Sequence, residues 1–532
     1  MRYLFRWISL MLLSFGFLLI VSSYSRAQDG DEAEYMGTRE CTSCHREQGR
    51  DLEAYCEDAD ACHMNALLDA SDKPELIVAD FSQGDDVRTV QFPGEDEPRP
   101  FTAEDIQFAI GSKGAVQRFV VQDADDHYWV LPVEWNITAK QWQPYVLDTE
   151  WPAAGYDFGK NCVGCHVTGL NTDTMKWEED GVACEACHGP GSIHLELADE
   201  LGRNPSEDEL AAVRSAIVRS PDAQTCGQCH SRGMHEDYHY PVAYHPGSDL
   251  SAAFDLVASD DAVYWWSEGF ARQSNMQYNE WLTSAHASAL TTMQTAEGAG
   301  TECLACHSSD YKSFQDMMAA YDEGEREGEP PAELTLEVAQ HGITCTSCHN
   351  VHTETAARPA MLVTESYALC TTCHTDGEPS NGLHHPVQQM FEGQSIVEGI
   401  EGVPSSHYSN PSGPNCVTCH MPTVPVGDDT RASHTMQLVS PTSAELESQC
   451  VVCHEEQATG KAMQAFIEDT QNGTRTRLET VRAALQGDEP AWVNSALEFV
   501  EGDGSFGIHN FAYVDALLDA IEAELMKEEP NE

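Results

Sequence analysis

The stretch CEACHGPGSIH (184–194) decides how this chain is read. Cys184 and Cys187 stand three apart with His188 directly after them, the signature for covalent attachment of a c-type haem. The spacing has a chemical reason. Two thiols on one turn reach the two vinyl groups along one porphyrin edge, and the next residue turns its imidazole beneath the ring, toward iron. Gly189-Pro190-Gly191 then makes a turn that brings His194 back toward the same neighbourhood.

Working outward, the signature occurs nine times: CTSCH (41–45), CVGCH (162–166), CEACH (184–188), CGQCH (226–230), CLACH (303–307), CTSCH (345–349), CTTCH (370–374), CVTCH (416–420) and CVVCH (450–454). Zinc knuckles and redox dithiols also use C-x-x-C, but neither requires a following His. All nine pairs carry it here, which excludes both. The expected thioether cysteines are Cys41 and Cys44, Cys162 and Cys165, Cys184 and Cys187, Cys226 and Cys229, Cys303 and Cys306, Cys345 and Cys348, Cys370 and Cys373, Cys416 and Cys419, Cys450 and Cys453. The expected proximal iron ligands are His45, His166, His188, His230, His307, His349, His374, His420 and His454.

Of 23 histidines, 14 lie outside the motifs, enough to give every iron a second imidazole. Ligation by two His gives a six-coordinate iron that cycles electrons with no open position; Met in the second place would raise the potential. The distal candidates are His63, His194, His239, His286, His352, His385, His407, His434 and His509. His235, His239 and His245 crowd one loop, from which a single ligand is expected, and His384-His385-Pro386 offers a compact pair. His127 is expected at the surface.

Two cysteines, Cys56 and Cys62, fall outside the signature, in LEAYCEDADACHMNALLDA (52–70). Laid over TSAHASALTT (283–292), DACHMNALLD (60–69) puts His63 on His286, which has no cysteine before it. By position His63 is then a distal ligand, and Cys56 with Cys62 form a small disulfide, as an oxidising compartment permits. The alternative is a tenth haem on an unusually long loop between its thioethers. Haem c is therefore expected nine times, with ten in reserve.

The chain opens like an export signal: Arg2 and Arg6, an apolar run from Ile8 to Val21, then Ser25-Arg26-Ala27 with cleavage expected after Ala27. No later segment is long and apolar enough to span a bilayer, so a periplasmic or extracellular protein is expected. With 28 Lys and Arg against 88 Asp and Glu, the formal charge is −60. Such a surface repels nucleic acid and anionic lipid, and steers in basic partners; it also serves solubility.

Five segments are expected: the signal (1–27), an N-terminal haem module (28–75), a haem-free β-rich insert (76–155), a multihaem core (156–460) and a helical tail (461–532). RTVQF (88–92), RFVVQD (118–123), HYWVLPVEWN (127–136) and QWQPYVL (141–147) read as short strands. Leu478, Val481 and Leu485 with Gly487 as a stop, and Val514, Leu517, Leu518, Ile521 and Leu525 behind a capping Asn510, read as two amphipathic helices. The fold class is mainly α with irregular loops, organised by covalent haems, with that β-rich insert.

GVACEACHGPGSIH, WLTSAHA, GITCTSCHNVH, CVTCHMP with a later SHTM, and the ending GSFGIHNFAYVDALL resemble multihaem c-type cytochromes. This broad group includes the tetrahaem cytochrome of ammonia oxidisers, pentahaem nitrite reductase, hydroxylamine oxidoreductase and octahaem tetrathionate reductase. The resemblance implies that the His of SxHA and GPGSxH segments are distal ligands, here His286, His194 and, through the internal alignment, His63. Two departures bear on activity. No C-x-x-C-K, the usual active-haem motif of the nitrite reductase, is present, and nothing marks the tyrosine cross-link of hydroxylamine oxidoreductase. The resemblance thus implies the haem scaffold rather than a reaction. The expected function is electron transfer to a terminal reductase or acceptor, with redox proteins as partners and assembly into oligomers or filaments left open. The alternative is a reductase of small nitrogen or sulfur compounds with one five-coordinate haem and catalytic residues unknown.

Overall fold

The computed structural model describes residues 33–58, 62–111, 114–147, 149–323, 330–352, 359–376, 384–395, 399–427, 429–454 and 459–527. The expected export signal lies outside them. The chain folds as two compact units, one of residues 1–229 with 233–255, the other of 230–232 with 256–532. Short helices and irregular loops dominate both, and the small sheets are minor.

The first unit holds the largest sheet, five antiparallel strands in the order β1 (Leu68–Asp69), β2 (Phe108–Ile110), β3 (Val116–Gln122), β4 (Tyr128–Asn136) and β5 (Gln141–Pro144). Its first strand comes from upstream of the stretch read as the insert. RTVQF contributes only Thr89–Val90, paired with Arg99–Pro100. Side chains alternate across the sheet with the strand period of two. Phe119 and Val121 of β3 and Leu131, Val133 and Trp135 of β4 face a core with Phe101 and Trp142. Val120 and Val130 face the opposite way, onto Phe158, Val163, Val167 and Tyr240, with Cys162 and Cys165 at the edge. The sheet is therefore a wall behind the second motif. Gly164 inside that motif allows the closest approach: a Cβ there would lie 2.1 Å from the Tyr240 ring.

A buried cation is reconciled with the aromatic core by hydrogen bonds. Arg88 donates to the carbonyls of Gln83 and Phe81, both at 2.9 Å, to that of Phe101 and to Asp85. Its guanidinium also sits 5.7–5.9 Å from the rings of Phe81, Phe101 and Trp142.

The second unit ends in three helices, α1 (Gly460–Ala484), α2 (Ala491–Asp503) and α3 (Phe511–Leu525). Leu478 and Val481 of α1 pack with Val493, Leu497, Phe499 and Val500 of α2 and Tyr513, Val514, Leu517, Leu518 and Ile521 of α3. Asn510 caps α3 by accepting from the Tyr513 amide at 3.2 Å, and its side-chain amide donates to the Met390 carbonyl at 2.9 Å. Sequence reading anticipated α1 and α3 but not α2. The signal was present, however: Val493, Ala496, Leu497 and Val500 follow helical spacing, and Gly504 ends the helix at φ 72°. Arg477, in the basic TRTR group, ties α1 to α3 through Asp515 at 2.7 Å, Asp519 at 2.6 Å and Glu522 at 2.8 Å. No described helix is long and apolar enough to cross a membrane.

Leu517 is fully buried in this bundle, so Leu517→Ala is expected to remove about 2–5 kcal/mol of local stability. Hydrogen exchange checks this: amides of α1 to α3 should exchange faster, while those of β3 and β4 keep wild-type rates.

Candidate metal centres

The motifs lie on or run off short helical turns; Cys162, for one, stands just before the helix Val163–His166. Cys184–His188 and Cys416–His420 are complete examples. The His amide closes the turn on the carbonyl of the first cysteine, at 2.9 Å for His45 on Cys41 and for His349 on Cys345, and at 3.0 Å for His374 on Cys370. Cysteines three apart then share one face. Residues between them help to fix the turn: Thr344 with Ser347, and Asn415 with Thr418, form reciprocal capping boxes.

Six motif histidines face a histidine from elsewhere in the chain. Ring centres lie 6.3 Å apart for His45 and His194, 6.1 Å for His374 and His286, and 6.2 Å for His307 and His384. They lie 6.3 Å apart for His349 and His434, 6.2 Å for His454 and His407, and 6.3 Å for His420 and His509. A metal–imidazole bond of about 2 Å on each side, plus about 1 Å from each nitrogen to its ring centre, gives roughly 6 Å for two rings sharing one metal. The donor set and spacing therefore fit an iron held between each pair. His374 has a second neighbour, His385, also at 6.2 Å, and His385 is 4.0 Å from His384.

Protonation favours the same chemistry. A backbone carbonyl can only accept a hydrogen bond, so an imidazole bonded to one through Nδ1 carries its proton there and keeps the Nε2 lone pair for a metal. His166 is so bonded to Ala66 at 2.8 Å, His188 to Val218 at 2.5 Å, His194 to Val213 at 2.8 Å and His349 to Ala360 at 2.8 Å. His509 meets the Asp503 carboxylate at 2.7 Å instead. Burial first, then the neighbouring imidazole of each pair, pushes His374 and His434 down to about 4, so both are neutral at pH 7, the form that can bind a metal.

Thiols of different motifs also meet: Cys41 with Cys184, Cys165 with Cys229, Cys306 with Cys373, and Cys370 with Cys416. The points at which porphyrin edges would be anchored thus adjoin within each unit. When bound, haem c supplies a one-electron couple at each such point.

Cys56 and Cys62 are joined by a disulfide. The residues directly after it support two motifs through their backbone. Ala66 orients His166, and the His63 carbonyl accepts from the Val182 amide at 2.9 Å, just before the third motif. Gly181 admits this contact, because a Cβ there would lie 2.2 Å from the Met64 carbonyl oxygen. His239 donates its amide to Lys160 at 2.9 Å, and His352 is exposed with its amide on Asn350. His127 is exposed in the β3–β4 turn. Two histidines that sequence reading did not single out are oriented like ligands: His235 on the Ala253 carbonyl at 2.9 Å and His341 on the Asp310 carboxylate at 2.7 Å. His384, rather than its chosen neighbour His385, faces His307. No residue spacing distinguishes these, because the orienting partners are backbone groups or lie 18 to 31 residues away.

Glu185, in a variable position of the third motif, is 2 % exposed. Its carboxylate accepts from Met36 at 2.9 Å, Gly37 at 2.7 Å and Gly191 at 2.7 Å. It thereby joins the start of the first-motif helix to the turn that carries His194, the two parts that bring His45 and His194 face to face. Glu280 does the same for His434, accepting from its amide at 2.7 Å and from Ser433 at 2.9 Å. Glu185→Ala strands three backbone amides at about 1–3 kcal/mol each. In electron paramagnetic resonance of the ferric holoprotein, one low-spin component is expected to shift or turn high-spin, with the rest unchanged.

Three family descriptions match separate stretches: cytochrome c554 and c-prime over 140–189, the doubled CXXCH motif over 337–379, and cytochrome c552 over 404–491. Cytochrome c-554 of Nitrosomonas europaea (strain ATCC 19718) is 40% identical over 62 residues, 10% of this chain and 25% of that protein, so the match spans a quarter of the relative's length. The outer cell wall cytochrome OcwA aligns over 92% of this chain and 100% of its own at 29% identity and TM-score 0.72. The undecahaem cytochrome from the S-layer of Carboxydothermus ferrireducens shares the fold, over 97% of this chain and 72% of its own, at 23% identity and TM-score 0.59. Opposed imidazoles beside repeated Cys-x-x-Cys-His turns, in a fold shared with these proteins, make the chain a member of the multihaem c-type cytochromes.

Proposed function

We propose that this cytochrome is an exported electron conduit, carrying nine covalent haems ligated mostly by two histidines and working in the periplasm or outside the cell. The observation that carries the reading is the set of motif and non-motif imidazoles opposed at 6.1–6.3 Å. Rings at that spacing would hold an iron from both sides, which would make it a carrier of electrons rather than a site for substrate. The pairs that would hold an iron are His45–His194, His307–His384, His349–His434, His374–His286, His420–His509 and His454–His407. His63, His239, His352 and His385, with the oriented His235 and His341, are the candidates for the remaining motif histidines His166, His188 and His230.

The Cys56–Cys62 disulfide supports nine haems over ten, since it withdraws both thiols from thioether chemistry. Export is supported by the N-terminal sequence pattern, by the disulfide and by the place named for two similar proteins, an outer cell wall and an S-layer. The protein's own contribution is to hold neighbouring anchoring points together, exclude water and set each potential through ligation and burial. Terminal acceptors, redox proteins or minerals outside the cell are the partners that suit such a chain.

Two measurements test this. Electron paramagnetic resonance of the oxidised holoprotein should show low-spin ferric signals; a substantial high-spin component that moves on adding nitrite, hydroxylamine or sulfite would favour a reductase instead. Intact mass should correspond to nine haem increments and one disulfide, and ten increments would place a haem on Cys56 and Cys62.

A further inference from the structure

In the second unit, three imidazoles from outside the motifs converge on two motif histidines. His374 is faced by His286 at 6.1 Å and by His385 at 6.2 Å, and His307 by His384 at 6.2 Å, ring centre to ring centre. The rings of His384 and His385 are 4.0 Å apart. One imidazole nitrogen from each of His307, His384 and His385 lies within 4.8 Å of the other two. An iron held by one motif histidine has one further axial place. Two motif histidines therefore need two partners, and here they have three.

The backbone explains why the two neighbours stand side by side. In an extended segment successive side chains point to opposite faces, and a following proline favours that extended form. Pro386 follows His385, yet His385 is left-handed at φ 53°, a region that residues with a side chain rarely adopt. Such a backbone persists where its surroundings hold it. The helix Val387–Glu392 supplies the hold. Gln388 donates its amide to the His374 carbonyl at 3.0 Å. The Gln389 side chain donates to the Thr375 hydroxyl at 2.8 Å and accepts from the Asp376 amide at 3.1 Å. Met390 is buried in the C-terminal bundle. The segment is thereby fastened to the residues that follow the seventh motif, and both imidazoles are left within reach of His307.

We propose that His385 is a reserve axial ligand for the iron on His307. His286 serves His374 and His384 serves His307, while His385 takes the place of His384 when that imidazole leaves. In the exchange one iron–nitrogen bond, to His384, breaks and one, to His385, forms. Both donors are neutral imidazoles, so neither an electron nor a proton moves. The fifth motif can thus change its second ligand without opening the iron to water or substrate, and it stays a carrier of electrons throughout.

The reserve presupposes the reading of opposed imidazoles as axial pairs, and one set of variants separates the two. Electron paramagnetic resonance is recorded on the oxidised holoprotein, with intact mass confirming that each variant keeps the wild-type number of haems. His194→Ala removes the ring that faces His45 at 6.3 Å, and one low-spin component should give way to a high-spin one. His384→Ala should leave every haem low-spin, with one component shifted as His385 takes over. His384→Ala combined with His385→Ala should turn one haem high-spin, and added imidazole should return it to low-spin, a rescue that a misfolded protein would not show. His385→Ala alone should match the wild type. A high-spin signal from His384→Ala equal to that of the double variant overturns the reserve. So does a double variant that stays low-spin, or a high-spin signal from His385→Ala alone, which would mark His385 as a resident ligand. A His194→Ala protein that remains wholly low-spin removes the pairing reading itself.

Discussion

Two imidazoles facing one another across about 6 Å are the constraint on which the rest of this structure depends. One ring of each pair is fixed within a five-residue turn, where local hydrogen bonds suffice. The other arrives from a distant part of the chain: His434 lies 85 residues after His349, and His509 lies 89 after His420. Bringing such partners together determines where loops run, where glycines are needed and which carboxylates are buried. Much of what an ordinary domain does with a continuous apolar core is done here by this repeated opposition.

The buried acids make sense in that light. In a chain so rich in carboxylates most acids are solvated, yet Glu185, Glu280 and Asp503 are withdrawn from water and given amide, hydroxyl or imidazole donors. A buried carboxylate without donors would be costly, so each one enforces the geometry of the groups that satisfy it. Glu185 and Glu280 act on the backbone beside a ligand-bearing segment. Asp503 acts on the ring of His509 itself, strengthening it as a donor to metal. Burial pulls the His509 imidazole down, but the hydrogen bond to Asp503 and its negative charge outweigh this and raise it.

The parts that carry no motif still serve the motifs. One face of the five-stranded sheet builds its own aromatic core, while the other lies against Val163, Val167 and the cysteines of the second motif. The C-terminal bundle holds Asp503 at the end of α2 and Asn510 at the start of α3, on either side of His509. Its apolar packing is thus what keeps His509 opposite His420 of the eighth motif.

What is local was legible in the residues, the short strands β1 and β2 excepted: the nine Cys-x-x-Cys-His turns, the sheet strands β3, β4 and β5, and the helices α1 and α3. Each of these depends on residues within a few positions of one another, so spacing and periodicity expose it. That His194 turns back toward the motifs was also legible, from the Gly-Pro-Gly turn before it, but that it meets His45 was not. Packing, not spacing, sets His384 against His307, orients His235 and His341 and lets Glu185 join two modules. Those outcomes depend on backbone carbonyls and on carboxylates far away in sequence, and a carbonyl has no letter of its own.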